Sequence, residues 1–359
     1  MTIQHSRFPS IEQLRTVVKH VRDRSKFHQI PIPTLKFQGT VKIHGTNSSI
    51  IFNPQTKETW CQSREQIITP EKDNSGFARF VSEFKNNEVN VYFNIAAGIF
   101  GMNYIKPGDL IGIYGEWCGQ GIMKGVAISQ VPKRFVIFGI KVFTPKDETD
   151  EEDFGTSLWF SPDQLVKAQD LFDKEIGVET NIYSIQHFKT WNVEIDFMNP
   201  ELIQNQLIEF TNQVEQECPV GKAFGVSGIG EGIVYRSVGD FDKFKTSDLV
   251  FKVKGEKHSV SKVKKLAPID IEKLNSVNEF VESVVTENRL EQMIEKMKET
   301  GIEVDIKNTG AFLKLIGNDV LKEESDTLEA SNLDRTSVMP VVNKVAKQWF
   351  MKRVFGDFS

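Results

Sequence analysis

Lys42 opens the string Lys42-Ile43-His44-Gly45-Thr46-Asn47, which follows a β-prone lead-in (Leu35, Phe37, Val41) and precedes another β-prone run, Ser49 to Phe52. A lysine at a strand end beside a glycine turn can present a strained amine rather than a solvated surface charge. In its neutral form such an amine attacks phosphorus. Five further strings carry side chains of similar interest. They are Ser63-Arg64; Ile113-Tyr114-Gly115-Glu116-Trp117 ahead of a Gly119-Gln120-Gly121 turn; Arg134 to Ile140 with Phe135 and Phe138; Gly230-Glu231-Gly232 leading into Ile233 to Arg236; and Phe251-Lys252-Val253-Lys254. Strand alternation puts Lys252 and Lys254 on one face, where two like charges cost energy unless an anion lies between them. Taken singly, each string has a bland reading: a surface arginine, an edge-strand glutamate, two core phenylalanines, a solvent-facing strand.

The elements that must position these residues are short β-prone runs broken by turns, from Leu35 to about Val142. A helix is expected over Gly76 to Phe84, and another after Pro200, with Ile203, Leu207 and Phe210 on its apolar face. Upstream, Ser10-Ile11-Glu12-Gln13 has the form of a capping box with Ser10 as N-cap, before the periodic Leu14, Val17, Val18 and Val21. Residues 145–153 read as an acidic solvated loop, and 145–200 otherwise give no clear pattern. After Pro268 the texture turns helical, over Ile271 to Val285, Arg289 to Lys298, Ala311 to Leu321 and Val338 to Val354. The expected fold class is α+β: antiparallel sheets flanked by helices over residues 1–266, then a small all-helical domain over 267–359.

Composition sets further bounds. The chain has 359 residues, 39% of them hydrophobic and 26% charged, with a net charge of −5. This is enough to bury a sizeable core and argues against a DNA-coating protein, so contact with nucleic acid needs a local basic face. From Lys243 to Lys265 there are eight lysines against Asp248 and Glu256, and Val341 to Arg353 forms a basic helix with Lys344, Lys347, Lys352 and Arg353. Cys61, Cys118 and Cys218 give neither a metal signature nor a disulfide framework, which points to a reducing compartment. With no apolar run of membrane length and no signal-peptide core, the expected location is the cytoplasm, that of a host cell if a phage encodes the chain.

In order and placement, the six strings resemble the motifs of the RNA ligase 2 family, bacteriophage-type ATP-dependent RNA ligases within the covalent nucleotidyltransferases. The resemblance covers roughly residues 35–260. It implies that Lys42, with Ile43, His44 and Asn47 around it, accepts the nucleotide, and that Arg64 reaches the ribose and the RNA end. It implies that Glu116 holds the ribose, as a carboxylate holds hydroxyls, and that Phe138 stacks on adenine. Where the family favours Asp after that phenylalanine, this chain has Gly139. Glu231 would work beside a catalytic metal: a carboxylate at the head of an apolar strand, flanked by glycines, suits a Mg²⁺ that keeps most of its water, with Mn²⁺ as a substitute. Lys252 and Lys254 would meet the triphosphate of ATP and, with the metal, lower the pKa of Lys42.

The implied enzyme is an ATP-dependent RNA ligase of RNA repair, working as a monomer. Lys42 takes AMP from ATP and passes it to an RNA 5′-phosphate, and a 3′-hydroxyl displaces it, most simply at nicks in duplex RNA bound by the helical domain. The alternatives are sealing of single strands or tRNA breaks by the same chemistry, a GTP-dependent capping enzyme, and a non-catalytic RNA-binding relative. His44, where DNA ligases and capping enzymes commonly have Asp, and the helical tail in place of a β-rich one argue against capping.

Overall fold

The structure is a computed structural model. It describes residues 3, 5–73, 75–83, 88–101, 104–145, 156–239, 244, 248–258 and 276–355. Most of the acidic loop, five of the eight lysines in the basic run from Lys243 to Lys265 and the expected boundary near 266 lie outside the described residues. Two compact units are present, one of Met1–Ile11, Lys36–Val193 and Asn212–Phe241, the other of Glu12–Leu35, Glu194–Thr211 and Asp242–Ser359. The α+β class, with antiparallel sheets flanked by helices and a helical C-terminal region, is as the sequence indicates.

In chain order the elements are α1 (Leu14–His28), β1 (Thr34–Lys42), β2 (Thr46–Phe52), β3 (Thr59–Ser63), β4 (Ile67–Ile68), α2 (Phe77–Glu83), α3 (Glu88–Phe100), β5 (Leu110–Cys118) and β6 (Arg134–Thr144). There follow β7 (Thr156–Trp159), α4 (Pro162–Ile176), β8 (Ile182–Ser184), β9 (Thr190–Asp196), α5 (Gln204–Gln216), α6 (Pro219–Ala223), β10 (Gly232–Ser237) and β11 (Val250–Lys254). Helices α7 (Val277–Val284), α8 (Glu287–Glu299), α9 (Thr309–Glu323), α10 (Ser325–Ala330) and α11 (Arg335–Phe355) complete the chain.

The first unit is built on a seven-stranded sheet of order β4-β3-β2-β5-β6-β7, with β8 added parallel to β6. Alternation along β2 and β5 sorts their side chains onto two faces. Ile50, Phe52, Ile111, Ile113 and Trp117 enter the main core with Phe93 of α3 and Phe172 of α4, and Phe52 stacks on Phe93 at 4.6 Å. Rings this fully buried each stabilise the unit by about 2–3 kcal/mol. Ile51 and Tyr114 point to the opposite face, where a smaller aromatic cluster gathers Phe8, Phe138 and Trp159. A bulge separates the two arrangements on β6: Tyr114 pairs with Gly139 but Gly115 with Ile137, so Phe138 is the extra residue and turns towards Tyr114's face. Beside this sheet β1 pairs antiparallel with β10, Lys42 opposite Gly232 and Gln38 opposite Arg236.

The second unit packs α7, α8, α9 and α11 around Phe280, Met293, Phe312 and Phe350. A buried ionic network runs through it. Arg289 and Glu324, both 0% exposed, pair at 3.0 Å, and Arg15 of α1 reaches the same carboxylate at 3.3 Å. The capping-box expectation fails at α1. The helix starts at Leu14 and Gln13 is the extended N-cap, without a side-chain cap bond. The reason is long-range: Glu12 bridges to Phe251, and its carbonyl accepts the Lys252 N–H at 2.9 Å, which keeps the backbone extended where the local signal favours a helix. No helix among the described residues is long and apolar enough to cross a membrane. All three cysteines are buried and free.

Lys141 of β6 is the least expected residue of the aromatic face. It is 7% exposed, its ammonium 4.2 Å from the Phe143 ring and 3.0 Å from Ser6 Oγ, and burial lowers its pKa to about 8. Below about pH 8 folded and unfolded chains both carry the proton, and the burial cost is fully present. Between there and the ordinary 10.5 only the unfolded chain holds it, so stability rises with pH. Urea unfolding of wild type and Lys141→Met at pH 7.5 and 10.5 checks this. Wild type should gain as much as about 3 kcal/mol relative to the variant over that range. Parallel profiles would mean that the amine is not buried as a cation.

Candidate active site

The site grows from the turn between β1 and β2. Lys42 is the last residue of β1, and its register partner Gly232 follows Glu231, so the pairing of β1 with β10 carries amine and carboxylate to the same strand ends. Lys42 Nζ donates to Glu231 Oε2 at 2.6 Å, and His44 Nδ1 lies 3.3 Å from the same oxygen. Glu231 is only 2% exposed, so its charge depends on these two neighbours and on others close by. Ile43, between them, is buried and anchors the turn.

Gly45 turns the chain into β2 and donates its N–H to Glu116 Oε1 at 3.1 Å. A Cβ there would lie 2.5 Å from the Trp117 carbonyl oxygen, so only glycine lets the turn come this close to β5. Asn47 pairs with Glu116 across the β2–β5 ladder, which puts both on the sheet face that also carries Tyr114. Arg64 follows β3 and is exposed, yet near enough to act on the Lys42 amine. Lys42, His44, Asn47, Arg64, Glu116 and Glu231 therefore converge within the first unit. Phe138 shares the face of Glu116, half-buried against Phe8 at 4.8 Å.

Lys252 and Lys254 belong to the second unit. They alternate on β11 with the buried Phe251 and Val253, as the pattern predicts. An anion does stand beside Lys252: the Glu323 carboxylate of α9, 3.3 Å from its amine. Nothing in the local sequence announces that partner.

The chain's own groups around Lys42 do not by themselves lower its pKa. Burial alone lowers the proton affinity of the amine. The Glu231 and Glu116 carboxylates and the hydrogen bond to Glu231 raise it by more, and Arg64 opposes them only in part, so the pKa stands above the ordinary lysine value rather than below it. The ion pair that seats the amine also tightens its hold on the proton.

Among the described residues no group of three or more His, Cys, Asp or Glu side chains could hold a metal. Glu231 offers a single carboxylate, a donor set that fits a Mg²⁺ retaining most of its waters and not a fully protein-ligated ion. Residues that the sequence did not single out also lie on the Glu116 face. Lys141 is one, and its only sequence signal is a cation inside an apolar strand; Phe8 is another, and has none.

Three comparisons bear on this arrangement. The RNA ligase family model matches residues 35–254. No curated protein sequence matches the chain. Solved structures similar to it include the Naegleria gruberi RNA ligase with PPi, at 13% identity and a TM-score of 0.37 over 72% of this chain and 58% of that one. A variant of the same ligase with ATP and Mn is 12% identical, with a TM-score of 0.39 over 72% of this chain and 58% of that one. Another, with AMP and Mn, is 12% identical, with a TM-score of 0.37 over 70% of this chain and 56% of that one. The chain thus spans less than two thirds of the length of those ligase chains. The family match takes in more than half of the residues and every motif from Lys42 to Lys254, and on it the chain belongs to the RNA ligase family.

Proposed function

We propose that this protein is an ATP-dependent RNA ligase that joins a 3′-hydroxyl to a 5′-phosphate through a lysyl-AMP on Lys42 and an RNA-adenylate. The observation that supports this best is the Lys42 amine at a strand end, 2.6 Å from a buried carboxylate and within the field of Glu116 and Arg64. In the first step the Lys42 Nζ lone pair forms a bond to the α-phosphorus and the bond to pyrophosphate breaks. The amine must shed a proton for this, and Glu231 sets that proton's hold. Bound at Glu231, Mg²⁺ or Mn²⁺ would supply positive charge that competes with the amine for the carboxylate. Glu116 and Asn47 would hold the ribose side of the nucleotide and Phe138 the base. In the second step an RNA 5′-phosphate oxygen bonds to the AMP phosphorus and the P–N bond to Lys42 breaks. In the third the 3′-hydroxyl oxygen attacks the 5′-phosphate, losing its proton, and AMP leaves.

The finer reading is nick sealing in duplex RNA by a monomer, with residues 1–266 as the adenylylating domain and 267–359 as the helical substrate domain. Basic α11, with Lys344 and Lys347 on it, is a surface of the kind that tracks phosphates. The buried free cysteines accord with a cytoplasmic setting.

Lys42→Ala should abolish labelling of the protein by [α-³²P]ATP, while sealing of pre-adenylylated RNA survives in part. Survival of that last step doubles as the check that a stranded Glu231 has not unfolded the protein. A label on the variant would show Lys42 to be the wrong nucleophile.

Lys252→Ala and Lys254→Ala should each slow single-turnover self-adenylylation on the order of a hundredfold, the usual cost of losing a charged contact to a transferring phosphate. Lys257→Ala, exposed and beyond β11, should instead weaken RNA binding and flatten its salt dependence. Equal, small losses at all three would reduce the β11 lysines to a solvated basic face.

A further inference from the structure

Residues His5 to Phe8 lie across the sheet face that carries Glu116 and Phe138, and are held there by residues of the first unit. Ser6 is its anchor. Gln62 Oε1 accepts the Ser6 N–H at 3.1 Å, and Gln62 Nε2 donates back to the Ser6 carbonyl. The Tyr114 hydroxyl lies 3.1 Å from Ser6 Oγ, and Lys141 donates to the same Oγ at 3.0 Å. Two turns of charge and backbone flank it: Arg7 pairs with Glu65, and His5 Nε2 meets the Ser63 carbonyl at 3.0 Å. Gln62 and Tyr114 are 1% and 0% exposed, so the anchor is built from buried groups.

The strap delivers one ring, Phe8. It meets Phe138 edge-on, at 4.8 Å and 72°, and Trp159 likewise, at 5.2 Å and 79°. Gly139 makes the space: a Cβ on it would lie 3.0 Å from the Trp159 ring and 3.3 Å from Phe8. A side chain at this position, where the RNA ligase 2 motif favours Asp, would press on Trp159 and Phe8 by a few tenths of an ångström. From the other sheet, Arg236 places its guanidinium 5.9 Å from the centroids of both Phe8 and Trp159. Arg236 pairs with Gln38, four residues before Lys42 on β1, so the backbone that carries Arg236 lies roughly 13 Å along the strand from that of Lys42.

We propose that Phe8 is a positioning residue for the nucleotide base: anchored through Ser6, its ring edge fixes the Phe138 ring, which the bulge in β6 would otherwise leave free to turn. The bulge takes Phe138 out of the ladder's alternation, so among the described residues it has no register partner on β5 to set its orientation. Phe8 and the absent side chain of Gly139 supply that constraint. The inference rests on the reading of Phe138 as the base-stacking residue.

Single-turnover self-adenylylation across a range of ATP concentrations, with the half-saturating concentration (KM) and the rate at saturation read separately, tests it in Phe8→Ala, Phe8→Leu, Phe138→Ala and the Phe8→Ala/Phe138→Ala double variant. Phe8→Ala should raise KM about threefold to tenfold, the scale of one aromatic pair, and leave the saturated rate within about twofold. Phe8→Leu keeps the packed volume and guards against simple unfolding; it should still raise KM. In the Phe138→Ala background, Phe8→Ala should add nothing, since its effect passes through that ring. If Phe138→Ala raises KM and neither Phe8 variant does, the positioning role is wrong while the base-stacking reading stands. Full additivity in the double variant, or a lower KM in Phe8→Ala, also overturns the role, the latter by making the strap a competitor of the base. If Phe138→Ala has no effect, the base-stacking reading fails and the inference with it.

Discussion

A carboxylate that is 2% exposed cannot stay ionised without partners, and much of the site can be read as the supply of those partners to Glu231. Lys42 and His44 meet the same oxygen, from a strand end and from the turn that follows it. That requires β1 and β10 to pair in the one register that sets Lys42 opposite Gly232. It also requires a turn tight enough to bring Gly45 onto Glu116, which only a residue without a side chain allows. The same pairing bears on the chemistry proposed for Lys42. Beside Glu231 and Glu116, the Lys42 amine holds its proton more tightly than an ordinary lysine does.

The second organising feature is the bulge in β6. It costs one ladder position and in return presents two consecutive residues, Phe138 and Gly139, to one face of the sheet. One supplies a ring and the other supplies room. The aromatic cluster and the buried Lys141 amine accumulate where the regular pleat is broken, the usual place for a sheet to re-aim its side chains.

The placement of the motif strings on strands and strand ends was legible because it follows from local residue type and alternation. An amine at a strand end, a carboxylate between glycines and lysines in alternation are local patterns, and the folded chain puts each on the element expected of it. The α+β class and the late helices were legible from period alone. What escaped reading has physical reasons. Helix α3 is rich in Val, Ile, Tyr and Phe, which favour strands, and is held helical by packing on α4. Helix α4 did carry a signal, the Ser161 to Gln164 capping box with Pro162 at its first position, in a stretch that otherwise gave no clear pattern. Ser10 offered a similar box and lost to a backbone bridge between Glu12 and Phe251, a contact no local window contains. Glu323 beside Lys252, and Phe8 against Phe138, are likewise products of the fold. The elevated pKa of Lys42 follows from two carboxylates brought to it from 74 and 189 residues away.

The central claim is that Lys42 carries the nucleotide. Incubation of the full-length protein with ATP and Mg²⁺ alone, followed by proteolysis at mildly alkaline pH and mass spectrometry of the peptides, tests it most directly. An AMP adduct on the peptide containing Lys42, formed without RNA and reversed by added pyrophosphate, is the result expected. An adduct on another residue, or a protein that seals RNA with no adduct at all, would contradict the account.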